Sequence, residues 1–334
     1  MKSFLDLADL ERDAVLDLLA LAARLQQHPE PQALAGKILG MVFFNPSLRT
    51  LASFQAGMAR LGGTSFVVTP GQGTWKLEHR LGAIMDGDRA EHVREGIPVL
   101  ASYCDAFGIR AFAEGTDLAF DLAETQFNAM AATVSKPLIN LESAVNHPCQ
   151  ALADWKTMDE LGVPQRGKFV LSWVKHPRPL PLAVPAATLH MAAMRGMDVT
   201  VLRPDGFALP DAIMEKARRA AAASGGSVSE TSDRAAAMQG ATVLYAKEWG
   251  STRFYGDVEG DKGLRSQLGD WQVDERWFAN AERDCRFMHC LPVRRNVAVA
   301  DHVLDGPRSV VLHEAHNRMP AQMAVLHRLL ANSH

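Results

Sequence analysis

Apolar positions along the chain switch between two periods. Short runs of strand character at 37–44 (KILGMVFF), 64–68 (TSFVV), 107–112 (FGIRAF) and 136–142 (KPLINLE) are separated by stretches at 51–62, 90–104 and 118–131 whose apolar residues recur at helical spacing. The second half repeats the rhythm. Residues 167–174, 197–204, 241–247, 286–292 and 308–314 read as strands, with helical patterns between them such as 210–225, and 320–334 reads as a closing helix. Such βα alternation predicts an α/β chain with parallel sheets covered by helices on both faces. The expectation is two doubly wound parallel-sheet domains, linked through a helix within 143–162, with the active site in the cleft between them. In open α/β sheets ligands lie outside the carboxyl ends of strands.

That rule selects the residues just after each run. After the first comes Ser47-Leu48-Arg49-Thr50, where a helical pattern begins. Free backbone N–H groups, a helix dipole, two hydroxyls and a guanidinium suit a phosphate. Taken alone, the motif reads first as an ordinary helix cap by Ser47 or Thr50, with Arg49 solvated. Arg110 stands at the end of its strand. His147-Pro148-Cys149-Gln150 opens the linking helix, where His147 could polarise a carbonyl oxygen and Gln150 bond an amide, or the pair could be a cap with a buried histidine. His289-Cys290-Leu291-Pro292 ends a late strand. A cysteine nucleophile is conceivable there, but neighbours on a strand point to opposite faces, so His289 and Cys290 would not form a dyad. A backbone-carbonyl role at Cys290 and Leu291 is as plausible. The segment 69–90 reads as a long non-strand stretch, in which Trp75 could be a lid, a subunit contact or local core.

Composition narrows the classes. The 334 residues are 47% hydrophobic and 22% charged, with a net charge of -3, so no global basic field points to nucleic acid or a membrane surface. No apolar run reaches the ~18 residues of a membrane span, and residues 1–25 read as an acidic amphipathic helix instead of a signal peptide. The four cysteines are scattered without a CxxC pair, which fits reduced thiols in a cytoplasmic protein. No metal constellation stands out, and no G-x-G-x-x-G follows a strand, so no metal or cofactor is expected.

Taken together, S-x-R-T after the first strand, His-Pro-x-Gln at the junction and His-Cys-Leu-Pro on a late strand resemble the aspartate/ornithine carbamoyltransferase family, over essentially the whole chain. The resemblance implies a carbamoyl-phosphate-binding domain at 1–145, completed by 316–334, an amino-substrate domain at 146–315, and a homotrimer with sites at subunit interfaces. It implies that Ser47, the Leu48 backbone, Arg49 and Thr50 hold the phosphate, and that Arg110 bridges phosphate and carbonyl oxygen. His147 would polarise that oxygen and Gln150 bind the carbamoyl NH2, while Cys290, Leu291 and Arg318 line the carbamoyl group and the attacking amine. Arg49, Thr50, Arg110, His147 and Cys290 form the catalytic set under this resemblance.

The segments "GTWKLE", "MDGD", "WVKHPRPLP" and "YAKEW" are similar to the subgroup acting on Nα-acylated ornithine. There Trp75 would reach a neighbouring subunit's carbamoyl-phosphate site, Glu142 and Lys247 would bind the ornithine part, and Arg295 would join the substrate set. N-acetylornithine enzymes resemble Met-Asp-Gly-Asp-x-Glu-Glu-His, where this chain has Ala90 at the first Glu, and carry a Lys after "RRNV", where it has Ala298. Loss of that Glu opens space and removes a charge that would repel a succinyl carboxylate, and His176 and Arg178 could pair with it. The expected acceptor is N-succinyl-L-ornithine, in arginine biosynthesis, with N-acetyl-L-ornithine or a non-catalytic phosphate-metabolite binder as the alternatives. Leu51 departs from the family's S-x-R-T-R.

Overall fold

A computed structural model of the chain describes residues 1–331. The backbone divides into two compact units. One comprises Met1–Glu114, Ala119–Cys149 and the chain from Arg318 onward; the other comprises Gly115–Leu118 and Gln150–Asn317.

The first unit is built on a parallel sheet of β1 (Ile38–Phe43), β2 (Thr64–Val68), β5 (Ala106–Arg110) and β6 (Leu138–Glu142), in the order β2-β1-β5-β6, with a separate parallel pair of β3 (Lys76–Glu78) and β4 (Arg89–His92). β1 and β5 are buried along nearly their whole length, as strands covered on both faces must be, which is why they read as unbroken apolar runs. Gly40 in β1 is required by space: a Cβ there would lie 2.7 Å from the Phe66 ring. The core beneath the sheet gathers Val42, Ile97, Phe107, Ile109, Phe127 and Met130. Helix Arg49–Arg60 packs Gly57 against Met323 of helix Val311–Leu330, whose later part belongs to this unit.

The second unit has a five-stranded parallel sheet of β7 (Lys168–Trp173), β8 (Asp198–Leu202), β9 (Ser227–Thr231), β10 (Ala241–Lys247) and β11 (Arg286–Met288), ordered β11-β10-β7-β8-β9. Helix Ala183–Arg195 is buried at every position, as a helix apolar on all sides should be. Both sheets therefore reverse their winding once, between β1 and β5 and between β7 and β10. These are the switch points at which α/β sheets bind ligands.

Several elements differ from the sequence expectation. Residues 1–25 are not one helix: Phe4 bridges Ile139, Leu7–Asp9 is a short 3-10 turn, and the helix runs over Arg12–Gln27. Residues 308–314 are not a strand: only Ser309 bridges Phe287, and the chain turns helical at Val311. Val311 and Glu314 are buried while Leu312 is exposed, a helical repeat hidden in a short apolar run. Residues 90–104 open with β4, and the helix that follows, Val93–Ser102, is capped by the His92 ring, which accepts from the Arg94 N–H at 3.1 Å. The segment 69–90 contains β3. Residues 118–131 form two helices, Leu118–Leu122 and Thr125–Ala131, separated by Glu124 in the left-handed region (φ 50°). The closing helix begins at 311, not 320, with Pro320 inside it; the end of the expected helix, 332–334, lies outside the described residues.

Candidate active site

In the first unit, the switch point collects an arginine-rich cluster. The chain leaves β1 through Asn45 and Pro46 and enters helix Arg49–Arg60. Ser47 Oγ accepts from the Thr50 N–H at 3.2 Å, so this serine is a cap as well as a phosphate candidate. Leu48 is exposed and Thr50 buried. Arg110, the last residue of β5, is buried beside this turn. Its Nε donates to Asn45 O at 3.2 Å, its Nη2 to Pro46 O at 3.3 Å and its Nη1 to Glu142 Oε2, and its guanidinium lies 4.5 Å from the Phe112 ring centroid. Asn45 also ties the two strand ends together, accepting from the Phe112 N–H at 2.8 Å.

His147 Nε2 lies 3.4 Å from Glu142 Oε2. Burial pushes the imidazole pKa well below its ordinary value, and Arg318, Arg110 and Arg49 push it further the same way. His147 is therefore a neutral ring among three cations, with a buried Nδ1 that no described residue bonds. Arg318 completes the set, its Nη2 donating to Thr50 Oγ1 at 2.9 Å. The structure thus brings together Ser47, Arg49, Thr50, Arg110, Glu142, His147 and Arg318. A pocket of about 280 Å³ adjoins them, lined by Asn45, Lys76, His79, Arg89, Phe112 and Glu114.

Trp75 and Ala90 stand apart from that cluster. Both are exposed, Trp75 61% so, and the indole N–H donates to Glu91 Oε2 at 2.7 Å. The nearby basic side chains are matched by acids: Arg80 and Arg89 on buried Glu78, Lys76 on Asp88, His79 on Glu114.

In the second unit a buried polar network occupies the region around the ends of β10 and β11. Lys247 Nζ lies 3.3 Å from Glu248 Oε1, and His289 Nε2 lies 3.3 Å from Glu248 Oε2. Burial opposes the Glu248 charge, but Lys247 and His289 hold its carboxyl well below the usual range. His289 Nδ1 accepts from the Leu291 N–H at 2.9 Å, so its hydrogen sits on Nε2, facing Glu248. This fixes the Cys290–Leu291 turn, with Leu291 at φ 55° and a cis Leu291–Pro292 peptide. β11 ends at Met288, so His289 and Cys290 follow the strand instead of lying on it. Burial raises the Cys290 thiol pKa to about 12, which disfavours the thiolate that a nucleophile needs.

Gln150 Nε2 donates to Asp154 Oδ1 at 2.7 Å and to Glu314 Oε1 at 3.3 Å, and Glu314 Oε2 accepts from the His289 N–H at 2.9 Å. His176 is buried and accepts from the Arg178 N–H at 3.1 Å, whereas Arg178 itself is exposed. Arg295 is exposed and engaged by Asp301 at 2.9 Å and Asp305 at 2.6 Å. Ala298 is fully buried.

Sequence reasoning missed Asn45, Asp154, Glu248 and Glu314. Asn45 was legible from its place directly after β1. The three acids carry no local signal, since each is a charged residue beside an apolar one, as at any surface. Among the described residues no group of His, Cys, Asp and Glu could hold a metal ion, and no helix is long and apolar enough to cross a membrane.

Comparison with known proteins places both halves of the chain in one family. Residues 2–160 match the carbamoyl-P binding domain, and residues 184–329 the Asp/Orn binding domain, of aspartate/ornithine carbamoyltransferases. The N-acetylornithine carbamoyltransferase of Xanthomonas campestris is 40% identical over 100% of this chain and 99% of its own. The N-succinylornithine carbamoyltransferase of Bacteroides thetaiotaomicron is 39% identical over 88% of this chain and 87% of its own. A solved N-acetyl-L-ornithine transcarbamylase carrying a Glu-to-Ala substitution, complexed with carbamyl phosphate and N-succinyl-L-norvaline, superposes with a TM-score of 0.94 at 40% identity, covering 98% of this chain and 100% of that one. The chain belongs to the aspartate/ornithine carbamoyltransferase family.

Proposed function

We propose that this enzyme transfers the carbamoyl group of carbamoyl phosphate to the side-chain amine of N-succinyl-L-ornithine, giving N-succinyl-L-citrulline and phosphate. Carbamoyl transfer to an N-acylornithine is supported by the relatives of both acyl types. The succinyl choice rests on Ala90. It stands where the acetyl-type run has a glutamate, and a Glu-to-Ala variant of an acetyl-type relative is known with a succinyl ligand. An exposed alanine there leaves room for the longer acyl chain and no negative charge against its carboxylate. His176 and Arg178 are the proposed partners of that carboxylate, with Glu142, Lys247 and Arg295 on the ornithine part.

In this reading Ser47, the Leu48 backbone, Arg49, Thr50 and Arg318 hold the phosphate, helped by Trp75 from a neighbouring subunit in a homotrimer. The neutral δ-amine attacks the carbamoyl carbon, its lone pair forming the new C–N bond. Negative charge develops on the carbonyl oxygen, where Arg110 and His147 meet it. The oxyanion then collapses and the C–O bond to phosphate breaks; the proton shed by the now cationic amine nitrogen leaves with the phosphate, and the cation cluster takes up the leaving group's remaining charge. Stabilising these two charges is the main task, and pre-placed guanidinium groups suit it. The observation that carries the reading is Arg110, which reaches the Asn45–Pro46 turn and Glu142 from one guanidinium. The test is citrulline-type product formation from carbamoyl phosphate with ornithine, N-acetylornithine and N-succinylornithine in parallel. Fastest turnover of the succinyl compound is expected; clear preference for the acetyl compound overturns the acyl assignment.

A further inference from the structure

We propose that Glu124 is a positioning residue for carbamoyl transfer, holding the turn that presents His147. This rests on the reading that His147 meets the carbonyl oxygen, and every residue concerned lies in the first unit. His147 is only 3% exposed, yet few polar contacts hold its ring. Its Nδ1 meets no described hydrogen-bond partner, and Nε2 lies 3.4 Å from Glu142 Oε2, near the long limit of such a contact. Where the ring sits therefore depends largely on the backbone that carries it.

That backbone is the 143–146 turn, which follows β6 and leads into His147. The Ser143 N–H closes it by donating to Asn146 O at 2.9 Å. One carboxylate oxygen grips the turn at two points: Glu124 Oε1 accepts from the Val145 N–H at 3.0 Å and from the Ser143 hydroxyl. Ser143 Oγ accepts in turn from Asn140 Nδ2, on β6, at 2.8 Å, and Asn140 also donates to Leu5 O at 3.1 Å. Asn140 and Ser143 are fully buried, so the turn is tied to the sheet on one side and to Glu124 on the other. The backbone at Glu124 points to a task for its side chain. The residue stands between two short helices at φ 50° and ψ 34°, a conformation that glycine, asparagine and aspartate adopt more readily than glutamate. Turning the chain there needs no carboxylate. Reaching Ser143 and Val145 does.

Glu124→Gly suits the backbone and removes the carboxylate. The expected result is a fall in kcat of about 10–100-fold with N-acetylornithine and N-succinylornithine alike, as for a displaced catalytic group. Inorganic phosphate should bind within about threefold of the parent by calorimetry, since its proposed holders Ser47, Arg49, Thr50 and Arg318 stand on other elements. A fold that had merely loosened would lose both. The His147→Ala background separates placement of the ring from general structure. There Glu124→Gly should cost less than about threefold more, because no ring is left to place. Three results overturn the proposal: kcat of Glu124→Gly within about threefold of the parent, phosphate affinity falling in step with kcat, or a loss that stays multiplicative beside His147→Ala. Should Glu124→Gly fail to fold, Ser143→Ala removes the hydroxyl on the same oxygen. It should lower kcat about 3–30-fold in the parent and less than about twofold beside His147→Ala; no loss, or a multiplicative one, overturns the proposal. Turnover of His147→Ala equal to that of the parent would sink the reading of His147 itself. A large His147→Ala loss beside an unaffected Glu124→Gly sinks this proposal alone.

Discussion

Arg318 donates from Nη2 to Thr50 Oγ1 at 2.9 Å, across 268 positions of sequence. The bond pins the late helix Val311–Leu330 to the first turn of helix Arg49–Arg60, inside one compact unit, and sets two phosphate candidates against each other. Thr50→Val keeps the shape and removes the acceptor. We expect the KM for carbamoyl phosphate to rise about 10–100-fold and unfolding stability to fall by about 1–3 kcal/mol, the cost of a buried charged donor losing its partner. Steady-state kinetics and denaturant titration measure the two; an unchanged KM would remove Thr50 from the phosphate set.

Glu142 places a carboxylate against both Arg110 and His147. It offsets the charge of Arg110 and lies beside the neutral His147 ring, the two groups proposed to meet the substrate oxygens. Glu142→Gln removes a negative charge from an anion site while keeping hydrogen-bond capacity. Calorimetry should find inorganic phosphate binding at least about threefold tighter. The N-acylornithine KM should move the other way, because the ornithine part loses its carboxylate. Weaker phosphate binding would contradict the placement.

Much of this was legible in sequence where burial is continuous. β1, β5 and β10 sit inside their sheets, so their apolar runs show through, and the strand-end rule draws attention to the turn after β1 and to Arg110 at the end of β5. Ser47 and Thr50 alone read first as a helix cap and become a candidate site only with the other motifs. β9, Ser-Val-Ser-Glu-Thr, could not, because an edge strand has a polar pattern without a strand signature. Val310-Val311-Leu312 read as a strand because three apolar residues fit either period. Glu314 was opaque for a different reason: its neighbours, Gln150, Asp154 and His289, come from distant parts of the chain, and only folding makes it interior. Nothing in the structure explains Leu51, half-buried on the first turn of its helix.

Cys290 tests the boundary between a lining and a reacting group. With its thiol pushed up to about 12 by burial, almost no thiolate exists near neutrality. Cys290→Ser should keep kcat within about tenfold of the parent, and iodoacetamide at about pH 8 should leave the native enzyme active. A loss on the order of a thousandfold, or trapping of a carbamoylated cysteine by mass spectrometry, would restore a covalent route.

His147 gives a pH signature in stability. Its native pKa lies well below 6.5, so on acidification the unfolded chain takes up a proton that the native state refuses. The unfolded state then binds more protons, and stability falls as pH drops from about 6.5 towards the native value, by up to about 1.4 kcal/mol per pH unit for one group. Glu314, whose pKa burial raises, acts in the opposite sense above its ordinary 4.5, so the comparison must be made by difference. Chemical denaturation of the parent and His147→Gln between about pH 7.5 and 5.5 should show the parent losing more stability. Parallel curves would mean that His147 charges freely in the fold.

Ala90 and Glu91 sit side by side on β4, and Glu91 holds the Trp75 indole at 2.7 Å. One position along, Ala90 is exposed and carries no charge. Ala90→Glu changes the acyl end without touching the cluster at Arg110. A carboxylate there repels a succinyl carboxylate and leaves an acetyl group unopposed, so kcat/KM for N-succinylornithine should fall by at least about tenfold relative to N-acetylornithine, one like-charge contact at a partly exposed site. Glu91→Asp serves as the control: it keeps a carboxylate acceptor near the Trp75 indole and leaves the charge unchanged, so the ratio of the two substrates should stay within about twofold. An Ala90→Glu enzyme whose acyl ratio matches that of the parent would move the selector off β4, to His176 and Arg178 in the second unit.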